Sequence, residues 1–304
     1  MSLKFSYNVY AYQWSFPEIV AYQRGYYQQQ SLDFELSTFG ARRGVNKNVA
    51  YEELLKTGRT DIYHAGEWAC IIRVLEDRES CITGASYPDS HTLNSTFSIY
   101  VRSDSGITDI RQLENRTVAI EYGTGSYFTA LQDMLGFLNQ SQIKLVQVGS
   151  PHLRLLALFN GAVAAASLIH PWNELAEVVG MKKLLETNRQ NPTLAVTRRS
   201  VDGSDLHRFF NATNHAIDDI NDDFDSVRES YVSNFMSIAA TLPGDLRSAA
   251  FSLRDTIDGP KWKHWQTYPA SSFRKAVSFL GEYSLINQKV DYQELIHPAI
   301  GSIF

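Results

Sequence analysis

Gly123-Thr124-Gly125-Ser126 joins a strand-like run to a helix-like one. Two glycines and two small hydroxyls at such a junction leave backbone N–H groups free at the positive end of a helix dipole, a seat for an anion. The stretch is neither a Gly-Lys-Ser/Thr phosphate loop nor a full Gly-x-Gly-x-x-Gly. It equally fits a tight strand-to-helix turn with Ser126 as the cap. Tyr63-His64-Ala65-Gly66-Glu67-Trp68 occupies the equivalent junction nearer the N-terminus. His64 and Glu67, three residues apart, would meet on a helix face. A His–carboxylate pair can orient a ring and exchange protons with a substrate. A capping Glu and a core His are the plainer reading of the same residues, and two ligands are too few for a metal, so none is expected.

Aromatic residues recur at the ends of strand-like runs. Tyr10, Tyr12, Gln13 and Trp14 follow the first; His170, Pro171, Trp172 and Asn173 follow a late one. In open α/β sheets ligands bind outside the carboxyl ends of the strands, where such rings would sandwich a flat or apolar molecule. Trp262-Lys263-His264-Trp265 reads as an aromatic rib packing a helix. No Gly-x-Ser-x-Gly elbow and no His-Glu-x-x-His helix occur. Cys70 and Cys81 have no zinc or disulfide spacing and read as buried thiols; Cys70, inside a helix pattern, is a distant nucleophile candidate.

These residues need a scaffold of alternating strands and helices. Leu3, Phe5, Tyr7 and Val9 alternate with polar residues, predicting a strand over Leu3–Ala11. A helix is expected over Pro17–Gln30, a strand over Leu32–Thr38, a helix over Val45–Lys56 and a strand over Thr60–Tyr63. A helix over Glu67–Glu76 and a strand over Cys81–Ala85 follow. A second series begins at Phe97–Arg102 and includes strands over Thr117–Glu121, Lys144–Val148, Ala164–Ile169 and Thr193–Thr197, with helices between. From Asp205 onward the pattern is mostly helical. Strands alternating with helices predict an α/β protein with largely parallel pairing.

The 304 residues are 44% hydrophobic and 20% charged, with net charge −5 from 28 basic and 33 acidic residues. That composition excludes collagen-like, disordered and disulfide-scaffold classes, and length alone predicts about two domains. Without a basic stripe, nucleic acid is not an expected partner. No apolar run approaches the ~20 residues of a membrane span, so no membrane insertion is expected. The N-terminus lacks the apolar core of a secretory leader, which places the chain as written in the cytoplasm; a leader removed beforehand would make it periplasmic.

The order of motifs resembles the type II periplasmic-binding-protein fold. Ala21-Tyr22-Gln23-Arg24-Gly25-Tyr26-Tyr27 with Leu32-Asp33-Phe34-Glu35-Leu36 is similar to its opening, and Leu54–Ile62 to its Leu-x-x-Gly-x-x-Asp step. Ile107–Leu113 with Thr117–Ile120 resembles the entry to its second lobe. Phe159–Ala166 resembles Leu-x-x-Gly-x-Val-Asp-Ala, with Ala in place of the usual Asp, and Leu285–Ile296 resembles its C-terminal ending. The branch indicated holds nitrate, sulfonate, taurine and thiamine-pyrimidine receptors and the yeast-type pyrimidine-phosphate synthases.

The resemblance implies a two-lobe (Venus-flytrap) α/β protein, with residues 1–97 and 197–304 as the first lobe and 98–196 as the second. The C-terminal helices would complete the first lobe, and the chain would cross near Thr96–Arg102 and return near Thr193–Arg198. It implies a small-molecule binding protein with its ligand in the interlobe cleft: a flat heterocycle or small aromatic or anionic molecule, a thiamine-type pyrimidine among the candidates. Tyr12, Gln13, Trp14, His64, Glu67, Trp68, Thr124, Gly125, Ser126, His170 and Trp172 would line the site. An ABC-type permease would be the partner of an exported form. The alternative is a cytoplasmic enzyme on the same fold, for thiamine-pyrimidine synthesis or aromatic lysis, with His64 and Glu67 as catalytic candidates. The synthases carry a Lys and a His in the stretch matching Asp61–Ile72 and a later Cys-rich motif. Here His64 is present, that stretch has no Lys, and no Cys follows Cys81; no cofactor is expected.

Overall fold

The alternating run at the N-terminus forms β1 (Leu3–Asn8), with Leu3 and Phe5 buried. It is shorter than predicted because the Asn8 side chain accepts the Tyr10 N–H at 2.9 Å and turns the chain into a 3-10 segment, Val9–Ser15. The helix expected over Pro17–Gln30 is two, α1 (Phe16–Gln23) and α2 (Tyr26–Gln29), divided at Gly25, whose φ of 72° ends the first. Then come β2 (Phe34–Phe39), α3 (Lys47–Lys56), β3 (Ile62–Gly66), α4 (Glu67–Glu76) and β4 (Ser80–Ser86). The second series is β5 (Ser98–Val101), β6 (Thr117–Ile120), α5 (Gly125–Leu135), β7 (Lys144–Gln147), α6 (Pro151–Phe159), β8 (Ala165–Leu168), α7 (Trp172–Val178) and β9 (Lys182–Glu186). It is followed by β10 (Thr193–Arg198), α8 (Gly203–Asp222), α9 (Arg228–Ala239), α10 (Gly244–Leu253), α11 (Ala270–Glu282), α12 (Tyr292–Leu295) and α13 (Ile300–Ile303).

This computed structural model describes residues 2–40, 47–87, 97–187 and 191–304, without the side chains of 47–50 and 52. The predicted helix start at Val45 and the crossing at Thr96 lie outside the described residues.

The chain divides into two compact units, Met1–Asp89 with Asn191–Val227 and Lys261–Phe304, and Ser90–Gln190 with Arg228–Pro260. The C-terminal region is therefore shared: α9 and α10 belong to the second unit, whereas the sequence reading gave everything after 197 to the first. The reason is local, since Tyr231 and Phe235 of α9 pack on His170 and Trp172.

The first unit's sheet has the order β2-β1-β3-β10-β4, the second's β7-β6-β8-β5-β9. In the first, β1 is parallel to β2 and β3, and β10 is antiparallel to β3 and β4. In the second, β6 is parallel to β7 and β8, and β5 is antiparallel to β8 and β9. Each five-stranded sheet thus has four strands running one way and one antiparallel strand inserted next to the edge strand. Strand order reverses on either side of β1 and of β6, so the turns after β1, β3, β6 and β8 open at the positions where α/β sheets receive ligands.

Asp61, at the start of β3, fixes the first sheet. Its N–H donates to the Lys4 carbonyl (2.7 Å), and its carboxylate accepts the Lys4 N–H (2.9 Å) and pairs with Arg198. Its carbonyl accepts the Thr197 hydroxyl at 2.6 Å. An Asp61→Ala substitution leaves the Lys4 amide without its acceptor and releases the partly exposed Arg198 guanidinium, and should cost the first unit about 1–3 kcal/mol, read as a lower urea midpoint. A loss below about 0.5 kcal/mol, the range of a neutral surface change, would contradict this role.

Candidate functional site

In the first unit, the Asn8-anchored turn holds Tyr12, Gln13 and Trp14 at the carboxyl end of β1. Trp14 is half-buried, while Tyr12 and Gln13 are buried. Gln13 is 5% exposed, and neither Oε1 nor Nε2 has a hydrogen-bond partner or contact with solvent. A buried amide in that condition costs about 1–3 kcal/mol.

His64 sits within β3, and its ring lies 4.8 Å from Phe5 and 4.4 Å from Trp265. Its Nδ1 is 3.7 Å from Glu18 Oε2, and Trp265 Nε1 donates to Glu18 Oε1 at 3.2 Å. The two groups are not an ion pair. Burial pushes the Glu18 carboxyl up to about 8, against weaker opposing bonds from its own backbone and Trp265. Burial likewise drives His64 down to about 3, offset in part by the Trp14 backbone. Both are neutral near pH 7.

The expected His64–Glu67 pair does not form. β3 continues to Gly66, so His64 follows strand geometry while Glu67 opens α4, and residues three apart across that boundary share no face. Glu67 instead accepts the Tyr268 hydroxyl at 2.7 Å, and burial raises its carboxyl to about 7. Trp68 packs on Phe279 of α11, 5.1 Å between ring centres. Burial raises the Cys70 thiol to about 12, and its Sγ donates to the Ala65 carbonyl at 3.4 Å; a thiol so placed is an inert core group rather than a nucleophile. Trp262–Trp265 is an aromatic rib, with Trp262 near Phe16 and Trp265 on Phe210.

In the second unit, the turn after β6 closes a ring of hydrogen bonds. The Glu121 N–H donates to Ser126 Oγ (3.0 Å), Ser126 and Thr124 hydroxyls bond at 2.9 Å, and Thr124 Oγ1 donates to the Glu121 carbonyl (2.8 Å). Either hydroxyl can be the donor between the two, since Ser126 Oγ also reaches the Glu121 carbonyl at 3.5 Å. Both hydroxyls are consumed inside the turn, and Thr124 provides no side-chain cap to α5. The first-turn N–H groups at Gly125 and Ser126 therefore have no intrahelical acceptor. Gly125 is required by packing: a Cβ there would lie 2.9 Å from the Phe97 ring.

Behind the same strand ends lies Arg154 of α6, 2% exposed. Its Nε donates to the Ser167 carbonyl and its Nη1 to the Gly149 carbonyl, both at 2.6 Å. Burial lowers its pKa to about 10, countered by Glu121, so the guanidinium stays charged near pH 7. Ser150 Oγ bonds His152 Nδ1 at 3.1 Å. After β8, His170 Nδ1 lies 2.7 Å from Glu174 Oε1, and its ring stacks on Tyr231. Trp172 is wedged between His152 and Phe235.

The structure thus gathers the candidates into two sets. Tyr12, Gln13, Trp14, His64, Glu67 and Trp68 lie in the first unit; Thr124, Gly125, Ser126, His170 and Trp172 lie in the second. Sequence reasoning missed Glu18, because a Glu in a first helical turn ordinarily reads as a solvated charge; the aromatic residues around it were the available signal. It missed Arg154 because a single Arg in an apolar helix carries no spacing cue. Among the described residues no cluster of His, Cys, Asp or Glu could hold a metal ion.

No family model and no curated protein matches the chain. Solved structures do. The alkanesulfonate-binding protein SsuA from Xanthomonas axonopodis pv. citri, bound to MOPS, aligns with a TM-score of 0.72 at 15% identity, over 98% of this chain and 97% of that one. The periplasmic aliphatic sulphonate binding protein SsuA from Escherichia coli gives 0.67 at 18%, over 97% and 91%. The Candida albicans CA3427 product, described as having the generic periplasmic binding protein fold, gives 0.65 at 16%, over 100% and 94%. Likeness at these identities is one of architecture: the chain has the two-lobe α/β periplasmic-binding-protein fold.

The buried acids make stability depend on pH. Folded Glu18 keeps its proton to about pH 8, whereas an unfolded Glu releases it near 4.5, so its contribution is full below 4.5 and is lost as pH rises to 8. His64 acts oppositely: its contribution is full above 6.5 and is lost as pH falls towards 3. From pH 7 to 8 Glu18 gives the larger part of the change, and Glu67, raised to about 7, completes its titration in the same interval and adds a smaller loss of the same sign. Stability should fall across that interval by about 1 kcal/mol, and Glu18→Gln should flatten the fall. Parallel profiles for the two proteins would contradict the neutral Glu18.

Proposed function

We propose that this chain is a small-molecule binding protein whose ligand carries an anionic group and a flat or apolar body. The observation that carries the reading is the α5 N-terminus. Its first-turn N–H groups are held in place by the Glu121–Ser126–Thr124 ring, and the buried Arg154 guanidinium, whose charge Glu121 offsets, sits on the carbonyls of Gly149 and Ser167 in the same unit. Backbone donors and a helix dipole together favour a sulfonate, carboxylate or phosphate. In the first unit, taken by itself, the half-buried Trp14 stands in the turn at the carboxyl end of β1, a position where α/β sheets receive ligands. Support also comes from neighbours that bind sulfonates and share the fold over nearly the full length.

Ser126 acts through the turn rather than by touching the ligand; His170 and Trp172 are packed behind it. The enzyme alternative loses its residues, because His64 and Cys70 are core groups and His64 is not paired with Glu67. The periplasmic setting named for the E. coli neighbour supports an extracytoplasmic placement with an ABC-type permease, rather than the cytoplasmic one expected from the N-terminus. Among the described residues no helix is long and apolar enough to cross a membrane. The thiamine-pyrimidine branch enters as one member of a ligand panel.

Titration calorimetry with alkanesulfonates, MOPS, arylsulfonates, aromatic carboxylates and a thiamine-type pyrimidine phosphate tests the reading. At least one should bind, and Trp14→Ala or Ser126→Ala should weaken it about tenfold, the equivalent of about 1.4 kcal/mol. Phe251→Ala, an exposed residue of α10, should leave it unchanged. Equal affinities in all four proteins would remove the assigned rim.

A further inference from the structure

Gln13, in the β1 turn, has both polar atoms of its side chain buried without a hydrogen-bond partner. The turn itself is completed by the Asn8 side chain and needs nothing from Gln13. Yet the Gln13 amide is buried, with both its acceptor Oε1 and its donor Nε2 unmet by protein and closed to solvent. A Met or Leu of similar volume would fill the space without that cost. The amide also lies at the strand-order reversal of its sheet, where a ligand is received, and the half-buried Tyr10 and Trp14 flank it in the same turn.

Resting on the binding-protein reading above, we infer that Gln13 is the specificity-determining contact for a ligand that presents an amide-type edge, one N–H donor beside one acceptor. A primary amide offers one acceptor and a two-hydrogen donor side by side, so a carboxamide or lactam edge satisfies both halves at once. A ligand bearing only a methyl or an ether there leaves at least one half unmet. Sites built to hydrogen-bond a substrate group discriminate strongly against analogues that lack it.

The test compares two probes that share an anionic aryl body, 3-carbamoylbenzenesulfonate and toluene-3-sulfonate, by calorimetry on the full chain. The wild-type protein should prefer the carboxamide by about tenfold or more. Gln13→Met should abolish the preference while keeping the toluenesulfonate affinity, and its melting temperature without ligand should equal or exceed that of the wild type. Gln13→Asn, which withdraws the amide by one methylene, gives a second variant with the polar group retained; it too should lose the preference. Equal wild-type affinity for the two probes, or a preference that survives in both variants, overturns this inference and leaves the capture of organic anions standing. Binding of neither probe, with other anions of the panel bound, overturns the amide-edge inference alone. Binding of no anion at all overturns both.

Discussion

One carboxylate, that of Asp61, ties together strands that the sequence keeps far apart. Through it and its backbone, β3 is registered to β1 by two bonds with Lys4 and to β10 by Thr197 and Arg198. Thr197 lies 136 residues further along the chain, so the first sheet is completed only once the chain has passed through the second unit and returned. The loop-closure cost of such a return is modest and grows slowly with length, whereas an unpaired β3–β4 gap would leave two rows of backbone groups unmet. The turns after β1 and β3 owe their fixed positions to this closure. The second unit solves the same problem with β5, inserted antiparallel between β8 and β9.

With the strands registered, burial decides what the chemical groups at their ends can do. His64 and Cys70 have residue types that could serve catalysis, but desolvation keeps the imidazole neutral and the thiol protonated. Ser126 and Thr124 have hydroxyls that could touch a ligand, but a closed ring of bonds consumes them and releases backbone N–H groups instead. Arg154 keeps its charge because Glu121 counters the cost of its burial, while two carbonyls receive its guanidinium. What remains at the turn after β6 is a first helical turn whose Gly125 and Ser126 N–H groups have no intrahelical acceptor, the feature on which the proposed anion seat rests.

Much of this architecture was legible in the residues. The β–α alternation up to residue 200, the turn at Gly123–Ser126 and the fold resemblance all came from local pattern. Local pattern also explains the failures. The His64–Glu67 pairing assumed helical spacing across a boundary where strand spacing still holds. The helices over 228–260 look alike from the sequence whichever unit they cover; their assignment depends on Tyr231 and Phe235 meeting His170 and Trp172, a contact between distant segments. The neutral state of Glu18 depends on burial from several elements at once, strong enough to outweigh the Trp265 hydrogen bond that favours the charged form, and no window of sequence contains that.

The most direct test of ligand capture is native mass spectrometry on freshly purified protein, before and after denaturation, with and without added organic anions. The account predicts a small-molecule adduct, resident or acquired from the anions, that is lost on denaturation and carries the mass of an unmodified ligand. A bare protein under every condition, or an adduct that survives denaturation as a covalent modification, would contradict it.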